Sequence, residues 1–134
     1  MKLEQQQIAI ATACGWGILE HDLFPHESPF KWIVLGPSFK PSRAFVMADE
    51  RVASYLPDFL NDFHAIRAAI ASLKDKKARW PTHSTDEPAL HVFSWHLIDL
   101  LGLDEYEPDV IKLVLADAEK LCEAFLKTLN LWVD

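Results

Sequence analysis

The sequence predicts a helix-rich α+β fold with a small antiparallel sheet, and three observations carry that prediction. Phe59, Phe63, Ile66, Ile70 and Leu73 recur at spacings of four, three, four and three, which places them on one face of a helix. Between Gly17 and Tyr55 that period is lost. Pro25, Pro29, Pro37 and Pro41 exclude a long helix there, and short β-branched and aromatic runs lie between them. Helical patterns resume on either side of this stretch and close at residues suited to stopping a helix, Gly15, Gly102 and Asn130. With 134 residues, 50% hydrophobic and 25% charged, the chain suits a single domain over residues 1–134.

Taken in order, residues Leu3 to Cys14 read as a first helix, with Ile8, Ala11 and Cys14 able to share a face before Gly15 stops it. Lys31-Trp32-Ile33-Val34-Leu35 reads as a strand ending at Gly36-Pro37, and Arg43-Ala44-Phe45-Val46-Met47 as a second. The short gap between them suits antiparallel pairing. A central helix is expected from Pro57 or Asp58 to about Leu73. Its far side carries Ala65, Ala68 and Ser72, small and uncharged where a solvated face would hold Lys or Glu. The expectation is a helix packed on two sides, or one whose small face meets a partner.

Lys74 to Arg79 reads as a solvated turn and Trp80 to Glu87 as a loop. Pro88 suits a first helical position, opening a helix from Ala89 to Leu101 that Gly102 ends. A final helix is expected from Pro108 to Leu129. Val114, Ala118, Leu121 and Phe125 would form its apolar centre, flanked by Ile111, Cys122 and Leu129, with Glu123 and Lys127 paired one turn apart. Asn130 would take a left-handed cap, with Leu131-Trp132 folding back.

The net charge of −7 argues against direct nucleic-acid binding, which needs clustered Lys and Arg. No apolar run is long enough to span a bilayer, and Met1 to Gln7 lack the basic-then-apolar pattern of a signal peptide. A soluble, cytoplasmic protein is expected. Cys14 and Cys122 then read as buried reduced thiols.

Few residues offer chemistry. Asp58 and Asp62, four apart with Asn61 and His64 beside them, could hold Mg²⁺ or divide acid and base roles. The plainer explanation outweighs this: Asp58 caps or neutralises the helix start and Asp62 faces solvent or an arginine. His83, Asp86, Glu87 and His91 form one metal-ligand-like cluster, and His21, Asp22, His26 and Glu27 another; neither has the spacing of an established zinc motif. No nucleophile elbow or phosphate loop occurs, and no cofactor is expected. Of the five tryptophans, Trp32 and Trp95 read as core, whereas Trp80 beside Arg79 and Pro81 reads as an accessible recognition edge. Asp58, Asn61, Asp62, His64, Arg79 and Trp80 are therefore the candidate binding residues.

Three segments resemble one family. Gln6 to Trp16, Leu56 to Ile66 and Cys122 to Trp132 are similar, in that order, to the opening, central helix and ending of the phage ABA sandwich domain family. They cover about a quarter of the chain. The resemblance implies an α-β-α sandwich, with helices on both sides of the sheet, encoded by a phage or prophage and working in the bacterial host cell. It implies no established activity. The expected function is a non-catalytic accessory module that binds a host protein or a small metabolite such as a nucleotide, and that forms a homodimer through the small face of the central helix. A metal-dependent hydrolase using Asp58 and Asp62, or an acidic inhibitor of a host defence enzyme, are the alternatives.

Overall fold

The computed structural model describes residues 1–20, 32–36, 44–47 and 52–134. In chain order these form α1 (Leu3–Ala13), β1 (Gly17–Glu20), β2 (Trp32–Leu35), β3 (Ala44–Met47), a 3-10 turn (Val52–Tyr55), α2 (Phe63–Ala71), β4 (Lys77–Ala78), β5 (Glu87–Pro88), α3 (Ala89–Leu100), α4 (Val110–Val114) and α5 (Ala118–Thr128). The helix-rich α+β class expected from the sequence is what forms, with antiparallel sheets packed against helices. β1, β2 and β3 make an antiparallel meander in which Gly17 faces Leu35 and Leu35 faces Ala44; β4 and β5 pair separately.

Three helices end alike, and the sequence signals for it were correct. After α1, the N–H of Trp16 bonds to the carbonyl of Ala11 and that of Gly15 to Thr12; after α3, Leu103 and Gly102 bond back to Ile98 and Asp99 in the same way. Both glycines have positive φ, as this reversal requires. After α5 the same position is taken by Asn130 at φ 58°, with Leu131 bonded to Leu126 and Asn130 to Lys127. Trp132 is thereby folded back against the core.

The core sits where α5 packs on α3, α1 and α2. Phe125, Leu126 and Cys122 from α5 are fully buried with Ile10, Val34, Ile66, Leu73 and Val92. α5 reaches this position with consistent local chemistry. The Asp117 carboxylate accepts from the N–H of Lys120, Glu119 lies in the first turn and Lys127 in the last, and Glu123 pairs with Lys127 at 3.8 Å. In α1, Ile10 and Ala11 are the buried apolar residues, while Ile8 and Cys14 pack only partly. The Gln7 amide donates to the carbonyls of Ala53 and Pro57, both at 2.9 Å, which ties the segment before α2 onto α1.

Three expectations need correction. α2 starts at Phe63, not at Pro57 or Asp58: residues 58–62 form a turn closed by the Asp62 N–H on the Asp58 carbonyl. Phe59 is buried from that turn, Phe63 is 45% exposed, and Ile66 and Ala69, not Ile70, are the buried residues of the helix. The last helix is two helices, because Leu115 ends α4 and Asp117 caps α5. Val114 and Ile111, expected in its apolar seam, are consequently exposed, as are Tyr106, Val110 and Leu115. Lys77 and Ala78, read as part of a solvated turn, form β4, with Ala78 buried against the core. Among the described residues no helix is long and apolar enough to cross a membrane. Neither Cys14 nor Cys122 is in a disulfide.

Candidate functional site

The β4–β5 hairpin runs straight into α3, and α3 packs along α5; these two connections bring three stretches of chain around one cleft. Its first wall is the end of β4 and the turn beyond it, with Lys77, Arg79, Trp80 and Pro81. Its floor is α3, with His96 and Asp99. Its second wall is the end of α5 and the following turn, with Lys127, Thr128, Asn130 and Trp132. The cleft has two compartments, of about 320 and 420 Å³, which share Pro81, His96, Lys127 and Asn130.

The compartments differ in chemistry. The smaller is lined by Trp80, Trp132, Asp99 and the shared residues. The larger holds Lys77, Arg79 and Lys127 and has no carboxylate in its lining, a concentration of positive charge in a chain of net charge −7. Arg79 Nε lies 3.1 Å from Asp86, which braces the loop between the two strands. Lys127 sits 5.9 Å from the Trp132 ring as well as near Glu123. Lys77 has no ion-pair partner among the described residues.

His96 is the central side chain. It is 8% exposed, and its imidazole has no hydrogen-bond partner among the described residues. The Trp80 ring covers it at 4.5 Å between centroids, and Trp80 in turn meets Trp95 edge to face at 6.0 Å. Burial, then the Lys127 ammonium, push the imidazole below its ordinary range; the Asp99 carboxylate pulls weakly the other way. A neutral imidazole therefore forms the floor at neutral pH, able to donate at one nitrogen and accept at the other.

Of the candidate residues expected from sequence, Arg79 and Trp80 lie at this cleft. Asp58, Asn61, Asp62 and His64 do not line it. They gather at the start of α2, where the Asp58 and Asp62 carboxylates and the Asn61 amide are occupied locally. Asp62 caps α2 by accepting from the N–H of His64 at 2.9 Å and of Ala65 at 3.4 Å, and the Asn61 amide donates to both Asp58 oxygens at 3.2 Å. The capping role expected of Asp58 thus belongs to Asp62. His83 faces Glu87 at 3.7 Å, Asp86 holds Arg79, and His91 and His83 both pack near Trp95. Among the described residues no three His, Cys, Asp or Glu side chains converge. The cluster His21, Asp22, His26 and Glu27 lies outside the described residues.

Two further concavities are bounded by described residues. One of about 250 Å³ lies across Trp80 and is lined by His83, Trp95, Ile98, Glu105 and Tyr106. Its histidine is half exposed and already faced by Glu87, so no buried polar group there lacks a partner. The other, of about 280 Å³, is an apolar groove in which Ala65, Ala68 and Ser72 meet Cys14, Trp16 and Phe59. The small face of α2 borders open space there.

His96, Asp99, Lys127, Asn130 and Trp132 were not recognised as site residues from sequence. One signal was available: His96 falls four residues after Val92 on the buried face of α3, a polar residue at a core position. Compared with known proteins, the chain matches no family model, no curated protein and no solved structure.

Proposed function

We propose that this chain is a non-catalytic binding protein that holds a small molecule in the cleft between the β4–β5 hairpin, α3 and the end of α5. One observation carries the reading: His96 is largely buried on the cleft floor, yet its ring nitrogens have no protein partner among the described residues and stay open to the cleft. A ligand that bonds to them exchanges a hydrogen bond to water for one to itself, a net gain of about 0.5–1.5 kcal/mol. The surrounding aromatic faces and few convergent polar groups are what small-molecule sites use for affinity and orientation.

Catalysis is not favoured by the groups present. Cys122 donates its S–H to the Phe59 carbonyl at 3.3 Å, and burial, with Asp58 and Glu119 adding to it, pushes its thiol up to about 12. Burial also raises Cys14. Neither is an activated nucleophile. The carboxylates that would serve a metal-dependent hydrolase, Asp58 and Asp62, are engaged by Asn61 and by the amides of α2. A role as a phage or prophage accessory factor in the host cytoplasm, with the ligand a host metabolite, rests on the three segments of resemblance. The open groove beside Ala65, Ala68 and Ser72 supports a homodimer as a second feature, which a monomeric mass in light scattering at micromolar concentration would remove.

The binding reading is tested by following the indole N–H resonances of the five tryptophans during titration with a panel of aromatic and heteroaromatic compounds. Shifts at Trp80 and Trp132, with Trp16 unmoved, are expected. Shifts confined to other tryptophans, or none with any compound, would overturn it.

A further inference from the structure

The two compartments of the cleft ask for different things of one ligand. The aromatic compartment is lined by Trp80 and Trp132, with Asp99 as an acceptor; the basic compartment is lined by three cations and no carboxylate. They meet at Pro81, His96, Lys127 and Asn130, so a molecule that fills both must pass these four residues. We infer that the ligand is a heteroaromatic ring carrying a phosphate, the chemistry of a nucleoside monophosphate, with the ring against Trp80 and Trp132 and the phosphate among Lys77, Arg79 and Lys127. This rests on the cleft being the binding site.

Stacking favours a flat π-system, and a base on an indole gains about 1–3 kcal/mol. Arg79 and Lys127 already face Asp86 and Glu123 in exposed pairs, and Lys77 has no ion-pair partner among the described residues. The ligand's advantage therefore lies in reaching all three at once, for which a carboxylate has only two oxygens. A phosphate, carrying between one and two negative charges near neutral pH and three acceptor oxygens, matches them better. Between ring and phosphate, sugar hydroxyls would reach the Asp99 carboxylate as donors and the Asn130 amide as either donors or acceptors. Compartments of about 320 and 420 Å³ fall within the range of small-molecule sites.

Asn130 lies where the two compartments join. Its φ of 58° is one that glycine serves at no steric cost, and glycine takes the equivalent position after α1 and α3. At the end of α5 the left-handed residue instead keeps a side chain, and it lines both compartments.

The test is calorimetric titration of the full chain with adenosine, guanosine, cytidine and uridine 5′-monophosphates, with adenosine, with inorganic phosphate and with indole-3-carboxylate. At least one monophosphate is expected to bind ten times or more tighter than adenosine or phosphate alone, and to weaken several-fold between 50 and 300 mM salt. Lys77→Gln and Asn130→Gly, neither of which removes a core contact, should each weaken the monophosphate by threefold or more while leaving the thermal midpoint within about 2 °C. Adenosine binding as well as its monophosphate, indole-3-carboxylate binding more tightly than every phosphate compound, or both variants binding like the parent would overturn the inference and leave the cleft as the site. No heat with any probe, together with unmoved Trp80 and Trp132 resonances, would overturn both.

Discussion

Substitution of Asp62 decides whether the polar cluster at the start of α2 is a site or a cap. One carboxylate oxygen accepts from two amides, His64 at 2.9 Å and Ala65 at 3.4 Å; the second contact is long, so the loss amounts to one good capping bond and part of another. An N-cap aspartate replaced by alanine costs about 1 kcal/mol, within a range of about 0.5–2. Asp62→Ala should therefore lower stability by about 1 kcal/mol, or about 3–5 °C in thermal midpoint for a domain of this size. Asp62→Asn keeps the accepting oxygen and loses only the charge at the positive helix end, a few tenths of a kcal/mol. Asp58→Ala removes only an exposed contact with Asn61 and should stay within about 0.5 kcal/mol of the parent. Urea unfolding followed by far-ultraviolet circular dichroism measures all three. If Asp62→Asn were as damaging as Asp62→Ala, or if Asp62→Ala cost nothing, the capping argument would be wrong and the carboxylate would need another role.

The division of the last helical segment predicts unequal core effects: Ile111→Ser on exposed α4 should cost under about 0.5 kcal/mol, and Leu126→Ala in α5 about 2–5 kcal/mol, by the same unfolding assay. Equal costs would refute the break at Leu115. With its thiol up at about 12 and fully buried, Cys122 should stay silent to a thiol reagent at pH 8 until the chain is unfolded, while half-buried Cys14 reacts slowly in the native state. Two fast-reacting native thiols would contradict this. The depressed His96 pKa sets a sign for pH dependence. Below the unfolded value of about 6.5 the unfolded chain takes up a proton that the folded chain still refuses, so stability falls with pH through that range and levels off below the folded value. His96→Gln should flatten part of this slope between pH 7 and 5; an unchanged slope would show that other groups carry it.

What could be read from the sequence was what depends on neighbours along the chain. The stops at Gly15, Gly102 and Asn130 were legible because a left-handed residue after a helix is a local steric requirement. The β2–β3 pairing followed from two β-rich runs with little chain between them. The start of α2 was misplaced because Phe59 and Phe63 keep helical spacing although only Phe63 is in the helix. A turn carries Phe59 into the core by another route and leaves Phe63 outward. The break before α5 was hidden for a similar reason: Ile111, Val114, Ala118 and Leu121 hold one phase across it, so periodicity alone could not show that the first two had swung into solvent. Strands of two residues, as in β4 and β5, carry no period at all.

The cleft was harder to see because its parts meet only through the packing of α3 on α5. Arg79 and Trp80 stood out as an adjacent cation and aromatic ring, but their partners Lys127, Asn130 and Trp132 looked like the ordinary end of a helix. Asn130 shows how fold and site can be separated at such a position. Replacing it by alanine keeps the Cβ already at φ 58° and removes the side-chain polarity that eases it, a cost below the about 1–2 kcal/mol of an uncompensated left-handed residue. Replacing it by glycine removes that strain but adds unfolded-state freedom, two effects that oppose each other and should leave stability within about 0.5 kcal/mol of the parent. Both variants lose the amide. If the amide serves the cleft, both should weaken ligand binding to the same degree while differing in unfolding midpoint. If binding instead followed stability, with glycine like the parent and alanine impaired, Asn130 would be a turn residue that happens to border a cavity.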